Sequence, residues 1–302
     1  MRIFKHIFLT TVLLLSFKVD AQLLDNSEGN AFSDRPFFNE DLIRENKIKS
    51  ISGNFTVKKV GDILRDTELV RSYFFNRKGQ LIKTVETTQA SIGFDTLVSF
   101  YEYNERGDIT AIREKDHFGF YATIYEYDSL GRVVREEFQR NLNKNKNSLD
   151  LNLGKKYVVT YETSTYNEYD GQQKRTIYNS YGVPFKDIFT YYDDSDLIKE
   201  KVERLQRTSS TKTTFYSYNE KGLIDTLKVN SNQSGIKKRL FVFKYDEWNN
   251  LVKKEYHKNG EYTTEYRVLY DEETMLINYI MTQEVSTGYI TVLKLNEYDF
   301  FD

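Results

Sequence analysis

One local pattern recurs along this chain: an aromatic residue, then Asn or Asp, a few polar residues often ending in Gly, then a Leu or β-branched pair. It reads Phe75-Asn76-Arg77-Lys78-Gly79-Gln80-Leu81-Ile82, then Tyr103-Asn104-Glu105-Arg106-Gly107-Asp108-Ile109, then Tyr127-Asp128-Ser129-Leu130-Gly131-Arg132-Val133-Val134. Tyr169-Asp170-Gly171 is a degenerate copy, and later ones begin at Tyr192-Asp193, Tyr218-Asn219, Tyr245-Asp246 and Tyr270-Asp271. The anchors at 75, 103, 127, 169, 192, 218, 245 and 270 are separated by 28, 24, 42, 23, 26, 27 and 25 residues. A repeat of that period is one supersecondary unit that buries its apolar face only against its neighbours.

The unit is a β-hairpin. A side-chain oxygen of Asp or Asn folds back onto nearby backbone amides, and Gly accepts a positive φ at no steric cost. The flanks alternate with a period of two: Phe241, Phe243 and Tyr245 share a face opposite Val242 and Lys244, and Tyr121, Thr123, Tyr125 and Tyr127 oppose Ala122, Ile124 and Glu126. About eight such hairpins give an all-β architecture: a repetitive antiparallel meander, strongly twisted or partly wrapped. The 24 Tyr and 21 Phe find a use as stacked cross-strand pairs.

Residues Met1 to Gln22 form a separate element. Arg2 and Lys5 precede an apolar stretch from Ile7 to Phe17, and Val19-Asp20-Ala21 offers small residues before a cut near Gln22. This is a secretory signal peptide over 1–21, too short in its apolar part to span a bilayer. The chain is therefore expected to be exported, to the periplasm, the cell surface or the medium. Residues 22–50 read as a mobile lead-in followed by a short helix over Phe37 to Asn46, capped near Asn39 and covering the open end of the sheet. Residues 51–302 form a single array, ending in two strands around Gly288. A polar insertion near 139–156 interrupts it, and its Asn-rich run Asn141 to Ser148 reads as an exposed excursion.

The Tyr-x-Tyr-Asp/Asn…Gly-x-Leu/Ile pattern is clearest at Tyr125 to Val134, then at Tyr101 to Ile109 and Tyr216 to Ile224. It resembles the YD (RHS-type) repeat of bacterial secreted and cell-surface proteins, in the small exported form found in Bacteroides and Flavobacterium. The resemblance covers about residues 70 to 280. It implies an antiparallel strip winding into a shell or open spiral, and an exported location. The toxin role of the largest members is not carried over, because no room for a toxin domain follows the last repeat.

Composition closes several chemistries. The chain has no Cys, which excludes disulfides, thiol catalysis and cysteine-ligated metals. With 43 Lys+Arg against 45 Asp+Glu it lacks the basic surface that nucleic-acid binding requires. His117 and His257 have no second ligand at metal spacing, and no Walker loop, dinucleotide cluster or nucleophile elbow is present. No cofactor or metal is expected. The adjacent acids Glu136-Glu137, Asp193-Asp194 and Glu272-Glu273 leave a carboxylate-pair hydrolase as a minor alternative.

The expected role is a non-catalytic exported binding or structural module of a bacterial envelope, with an aromatic-rich face and exposed turns meeting an envelope protein. A glycan-binding protein meeting a surface polysaccharide is the alternative. Candidate contacts are Trp248, inside a turn where burial is difficult, and Tyr101, Tyr103, Tyr125, Tyr127, Tyr216, Tyr218 and Tyr245. An open strip leaves an edge that invites pairing with another chain.

Overall fold

The computed structural model describes residues 22–302 apart from 92, 117, 118, 144–149, 234 and 236; the expected signal peptide, His117 and most of the Asn-rich run lie outside the described residues. One short helix, α1 (Glu40–Glu45), precedes the strands. They are β1 (Ile48–Lys58), β2 (Arg65–Phe75), β3 (Leu81–Gln89), β4 (Phe94–Tyr103), β5 (Ile109–Asp116) and β6 (Gly119–Tyr127). Next come β7 (Val133–Asn143), β8 (Leu153–Tyr169), β9 (Gln172–Tyr178), β10 (Pro184–Tyr192), β11 (Ile198–Leu205) and β12 (Thr211–Tyr218). The last are β13 (Ile224–Ser231), β14 (Lys238–Tyr245), β15 (Leu251–Lys258), β16 (Glu261–Tyr270), β17 (Ile277–Glu284) and β18 (Tyr289–Phe300).

Every strand pairs antiparallel with the next, and β18 returns to pair with β1 from Ile48↔Phe300 to Lys58↔Ile290. The sheet is therefore one closed barrel of 18 strands. This corrects the expected open or partly wrapped hairpin strip, and with it the identification as a YD/RHS-type repeat shell. Closure joins residues some 240 positions apart in the chain, and no local motif announces such a pairing. Gly53 marks the seam: at the register shift between Ser52 and Gly53, a Cβ there would lie 1.9 Å from the Lys294 carbonyl oxygen. A ring has no free edge, so the expected edge-to-edge pairing has no strand to use.

The helix also needs correction. α1 is a single turn, with the Asn39 side chain accepting from the amides of Asp41 and Leu42. No open sheet end exists for it to cap. Among the described residues the polar insertion is mostly strand: β7 runs to Asn143 and β8 starts at Leu153, and Gln139 and Asn141 are buried instead of exposed.

The turn chemistry follows from the motif. Asn76 Oδ1 accepts from the amides of Lys78 and Gln80, at 2.9 and 3.1 Å, and Asp246 Oδ1 from those of Trp248 and Asn250, at 3.0 and 2.8 Å. A register shift flanks each such turn, as between Lys244, which faces Lys253, and Tyr245, which faces Leu251. The shift turns one carbonyl away from the ladder, and the tyrosine of the adjoining repeat takes it. Tyr103 donates to Leu81 O at 2.7 Å, Tyr127 to Ile109 O at 2.6 Å, Tyr218 to Ile198 O at 2.9 Å and Tyr245 to Ile224 O at 2.7 Å.

Registers also carry side-chain parity around the ring. Ile51 faces Tyr73, Arg71 faces Glu86, Thr84 faces Ser99, Tyr101 faces Ile112, Leu227 faces Phe241 and Phe243 faces Lys254. Ile51, Tyr73, Tyr101, Leu227 and Phe243 belong to the buried core, which places this set inside. Eighteen strands enclose more space than inward side chains can fill. The remainder is occupied by residues 22–39: Leu24, Ala31, Phe37 and Phe38 are buried in the same core. What the sequence presents as a lead-in is a plug inside the barrel.

Candidate functional site

The plug is a folded-back segment. Leu24 bridges Phe38, Asp25 N donates to Phe37 O at 2.8 Å, and Asn39 N donates to Leu23 O at 3.0 Å. At its bend, Asn26 Oδ1 accepts from Ala31 N at 3.1 Å, and Phe32 stands at φ 61° with its ring parallel to Tyr266, 5.2 Å between centroids. Among the described residues, four hydrogen bonds hold the plug to the wall. Lys254 Nζ donates to Ala31 O at 2.7 Å, and Asn26 Nδ2 to the Tyr245 hydroxyl at 2.9 Å. The Tyr101 hydroxyl donates to Asp34 O at 3.2 Å, and Arg35 to the Tyr125 hydroxyl at 3.3 Å. At the opposite end of the plug α1 closes on the β2–β3 turn, where a Cβ on Gly79 would meet the Glu40 carbonyl oxygen at 1.8 Å.

Between the plug and the walls lie cavities. One, of about 690 Å³, is bounded by Phe32 to Arg35 on one side and by Phe55, Arg71, Glu86, Leu97, Tyr121 and Thr291 among the wall residues. A second of about 380 Å³ shares Ser33, Asp34, Arg35, Glu114 and Tyr121 with it. Their lining combines flat rings (Phe32, Tyr121, Tyr266) with hydroxyls (Thr84, Ser99, Thr282, Thr291) and ionic groups. Arg71 Nε donates to Glu86 at 2.9 Å, and the guanidinium lies 5.5 Å from the Phe55 ring centre. Burial opposes the charge on Arg71, but Tyr73 and Glu86 beside it raise its pKa above the ordinary value. Burial pushes Lys254 down to about 8.

The outer wall is built differently. Arg135 pairs with Glu137 at 2.7 Å, Lys174 with Asp187 at 3.3 Å, and Lys253 with both Glu255 and Glu265, at 2.9 and 2.8 Å. Glu265 also contacts Arg267 and Tyr262. Burial opposes its charge, yet these donors pull its pKa to about 2. All have outward parity in the middle of their strands. A lipid-facing wall carries an apolar band there, and a Lys or Arg at its midplane costs about 2–4 kcal/mol. Along these strands the wall is built for water.

The candidate residues of the sequence divide cleanly. Tyr101 and Tyr125 are buried, and Tyr103, Tyr127, Tyr216, Tyr218 and Tyr245 are half-buried, all on the inward face. Burial lifts the Tyr101 hydroxyl, and likewise those of Tyr127 and Tyr216, to about 12. The hydroxyls of Tyr101 and Tyr125 meet the plug, those of Tyr103, Tyr127 and Tyr218 serve the ladder, and that of Tyr245 does both. Trp248 stands apart on the β14–β15 turn, 57% exposed.

The adjacent acid pairs do not converge. Glu136 and Glu137 point to opposite faces, while Asp193-Asp194 and Glu272-Glu273 lie in turns. Among the described residues no group of three His, Asp or Glu is placed to hold a metal. Sequence reasoning missed Arg35, Arg71, Glu86 and Lys254. Parity alone, two positions from Tyr73 or Tyr256 along a strand, was the available signal for Arg71 and Lys254.

No protein-family model and no curated protein matches this chain. Among solved structures it is similar to a porin-like protein from Bacteroides uniformis, at 10% identity and a TM-score of 0.38, over 85% of this chain and 97% of the other. A porin-like protein from Bacteroides vulgatus matches at 9% identity and 0.30, over 80% and 97%. The Photorhabdus luminescens Tc holotoxin pore matches at 11% and 0.21, over 74% of this chain and 14% of the other.

Proposed function

We propose that this chain is an exported, non-catalytic binding protein of a bacterial envelope, a water-facing barrel that holds a small ligand in its lumen. One observation carries the reading: the cavity of about 690 Å³ between the plug and the wall offers stacking rings, hydroxyls and an Arg71–Glu86 pair on one surface. Ligand sites have this size and this mixture of apolar lining with a few placed polar groups. The leader over 1–21 supports export. The Glu86 carboxylate is engaged by Arg71, which favours orientation of a ligand over acid–base work. Contacts with an envelope protein through the aromatic face lose their surface, because that face is turned inward; only the turns remain for a partner.

The test uses an amphipathic aromatic anion, anilinonaphthalene sulfonate, as probe. The native protein is expected to bind it saturably at one site. Leu97→Trp, which fills the mouth of the cavity, should abolish that binding while leaving the circular dichroism unchanged. Undiminished binding in the variant overturns the lumen as the site.

A second reading rests on Trp248. Its amide is held by Asp246 while its indole projects into solvent, an arrangement suited to stacking on a sugar ring. This glycan reading requires retention on a polysaccharide that depends on the indole.

A further inference from the structure

The two ends of the barrel differ in charge and in polarity. At one end lie the connections after β2, β4, β6, β8, β10, β12, β14 and β16. Together they carry thirteen Asp and Glu against five Lys and Arg, and the turns Asp193 to Leu197, Asp246 to Asn250 and Asp271 to Leu276 hold no base at all. Among the described residues, the connections at the other end contain only two acids, Asp62 and Asp150. Both are engaged, Asp62 by Arg65 at 3.0 Å and Asp150 by Lys83 at 3.7 Å. The flanks of that end add the exposed cations Lys58, Lys59, Lys155, Lys156, Lys237 and Lys238, against the exposed acids Asp66, Asp95, Glu261 and Glu284.

The β1–β2 connection of the basic end also presents apolar side chains to water: Val60 is 75%, Ile63 71% and Leu64 46% exposed. Val60 is braced by the neighbouring β17–β18 turn, where a Cβ on Gly288 would lie 2.4 Å from its Cγ2. Asp62 accepts from the Ile63 amide at 2.8 Å and pairs with Arg65, so the loop holds its shape while its acid is neutralised. Phe94, 50% exposed, opens β4 beside the next connection around the rim. Large apolar side chains held in water next to lysine ammonium groups gain by entering the boundary between lipid headgroups and acyl chains.

We infer that the basic end of the barrel, led by the Val60–Leu64 loop and its flanking lysines, docks peripherally on an anionic lipid surface. The charge asymmetry of the barrel orients the approach, since the acidic end is repelled by the surface that attracts the basic one. The inference is independent of what the lumen holds. It requires no membrane-spanning wall, and the ionic outer face stays in water.

The test is co-sedimentation of the exported protein with vesicles of phosphatidylcholine alone and of equimolar phosphatidylcholine and phosphatidylglycerol. Binding to the anionic vesicles is expected, weakened by salt and at least about tenfold weaker on phosphatidylcholine alone. The double variant Val60→Asp, Ile63→Asp alters only exposed side chains, and should lower binding at least about tenfold while leaving the β circular dichroism intact. Lys58→Glu with Lys59→Glu should do the same. Asp193→Asn with Asp194→Asn, at the far end, should not weaken it. Absence of sedimentation with anionic vesicles overturns the proposal, as does binding that survives both loop variants.

Discussion

The ammonium of Lys254 on β15 donates to the backbone carbonyl of Ala31 at 2.7 Å, tying the barrel wall to the bend of the plug. A buried amine of this kind makes stability depend on pH. Its pKa is pushed by burial from 10.5 to about 8, so between those values the unfolded chain holds more protons than the folded one. Protons stabilise whichever state binds more of them, so stability rises with pH through this window. Tyrosines act with the opposite sign above pH 10: burial lifts Tyr101 and Tyr216 to about 12, so the unfolded chain loses their protons first. A denaturant midpoint that climbs from about pH 8, peaks near 10 and then falls is the expected outcome, with the Lys254 part on the order of 1–3 kcal/mol. Lys201, also pushed down by burial, adds to the rising limb, so Lys254→Met should shrink that limb and keep the falling one; an unchanged rising limb assigns the effect elsewhere.

The plug is expected to be part of the fold. The Phe38 ring meets Tyr73 at 4.9 Å and Phe75 at 5.1 Å between centroids, and its side chain is buried. Phe38→Ala should cost about 3–5 kcal/mol, the sum of lost transfer energy and the cavity left behind. Urea unfolding monitored by circular dichroism measures it. A loss below about 1 kcal/mol would mean that the barrel stands without the plug.

Each ladder tyrosine should contribute through its hydroxyl. Tyr245 donates to Ile224 O and accepts from Asn26, so Tyr245→Phe leaves a carbonyl and an amide short of partners. About 1–3 kcal/mol is expected, against about 1–2 kcal/mol for Tyr218→Phe, whose hydroxyl donates to Ile198 O. Equal losses at the two positions would remove the plug contact from the account.

Trp248→Ala touches nothing buried, so its stability change should stay within about 0.5 kcal/mol. If the glycan reading holds, the same variant loses retention on a surface-polysaccharide column. Unchanged retention sinks that reading and leaves the lumen as the binding site.

The hairpins were legible because their causes are local. Asn76, Asn104, Asp128, Asn219 and Asp246 each reach amides two and four residues away, a distance the sequence displays directly. The alternation that put Tyr101 and Tyr103 on one face was equally plain, but which face is inside is not written in an alternating pattern. Those tyrosines were candidates for a partner surface, and they line the interior. Tyr178-Asn179 through Val183 shows the limit of the motif. It forms the same turn, with Asn179 accepting from Tyr181 and Val183, yet it lies at the opposite end of the barrel from the others.

What the sequence determined by itself, then, is a chain of antiparallel hairpins with Tyr-rich faces, set by side-chain-to-backbone hydrogen bonds and period-two patterning. Tertiary structure decided the closure of β1 on β18 and the insertion of residues 22–39. Both join segments far apart in the chain, and neither end of such a contact carries a mark of its partner. The wide ring made the plug necessary, since side chains alone do not fill an interior of 18 strands. The plug in turn set Phe32 to Arg35 opposite Arg71, Glu86 and Tyr121, and so made a cavity with polar walls from residues that had no apparent relation to one another.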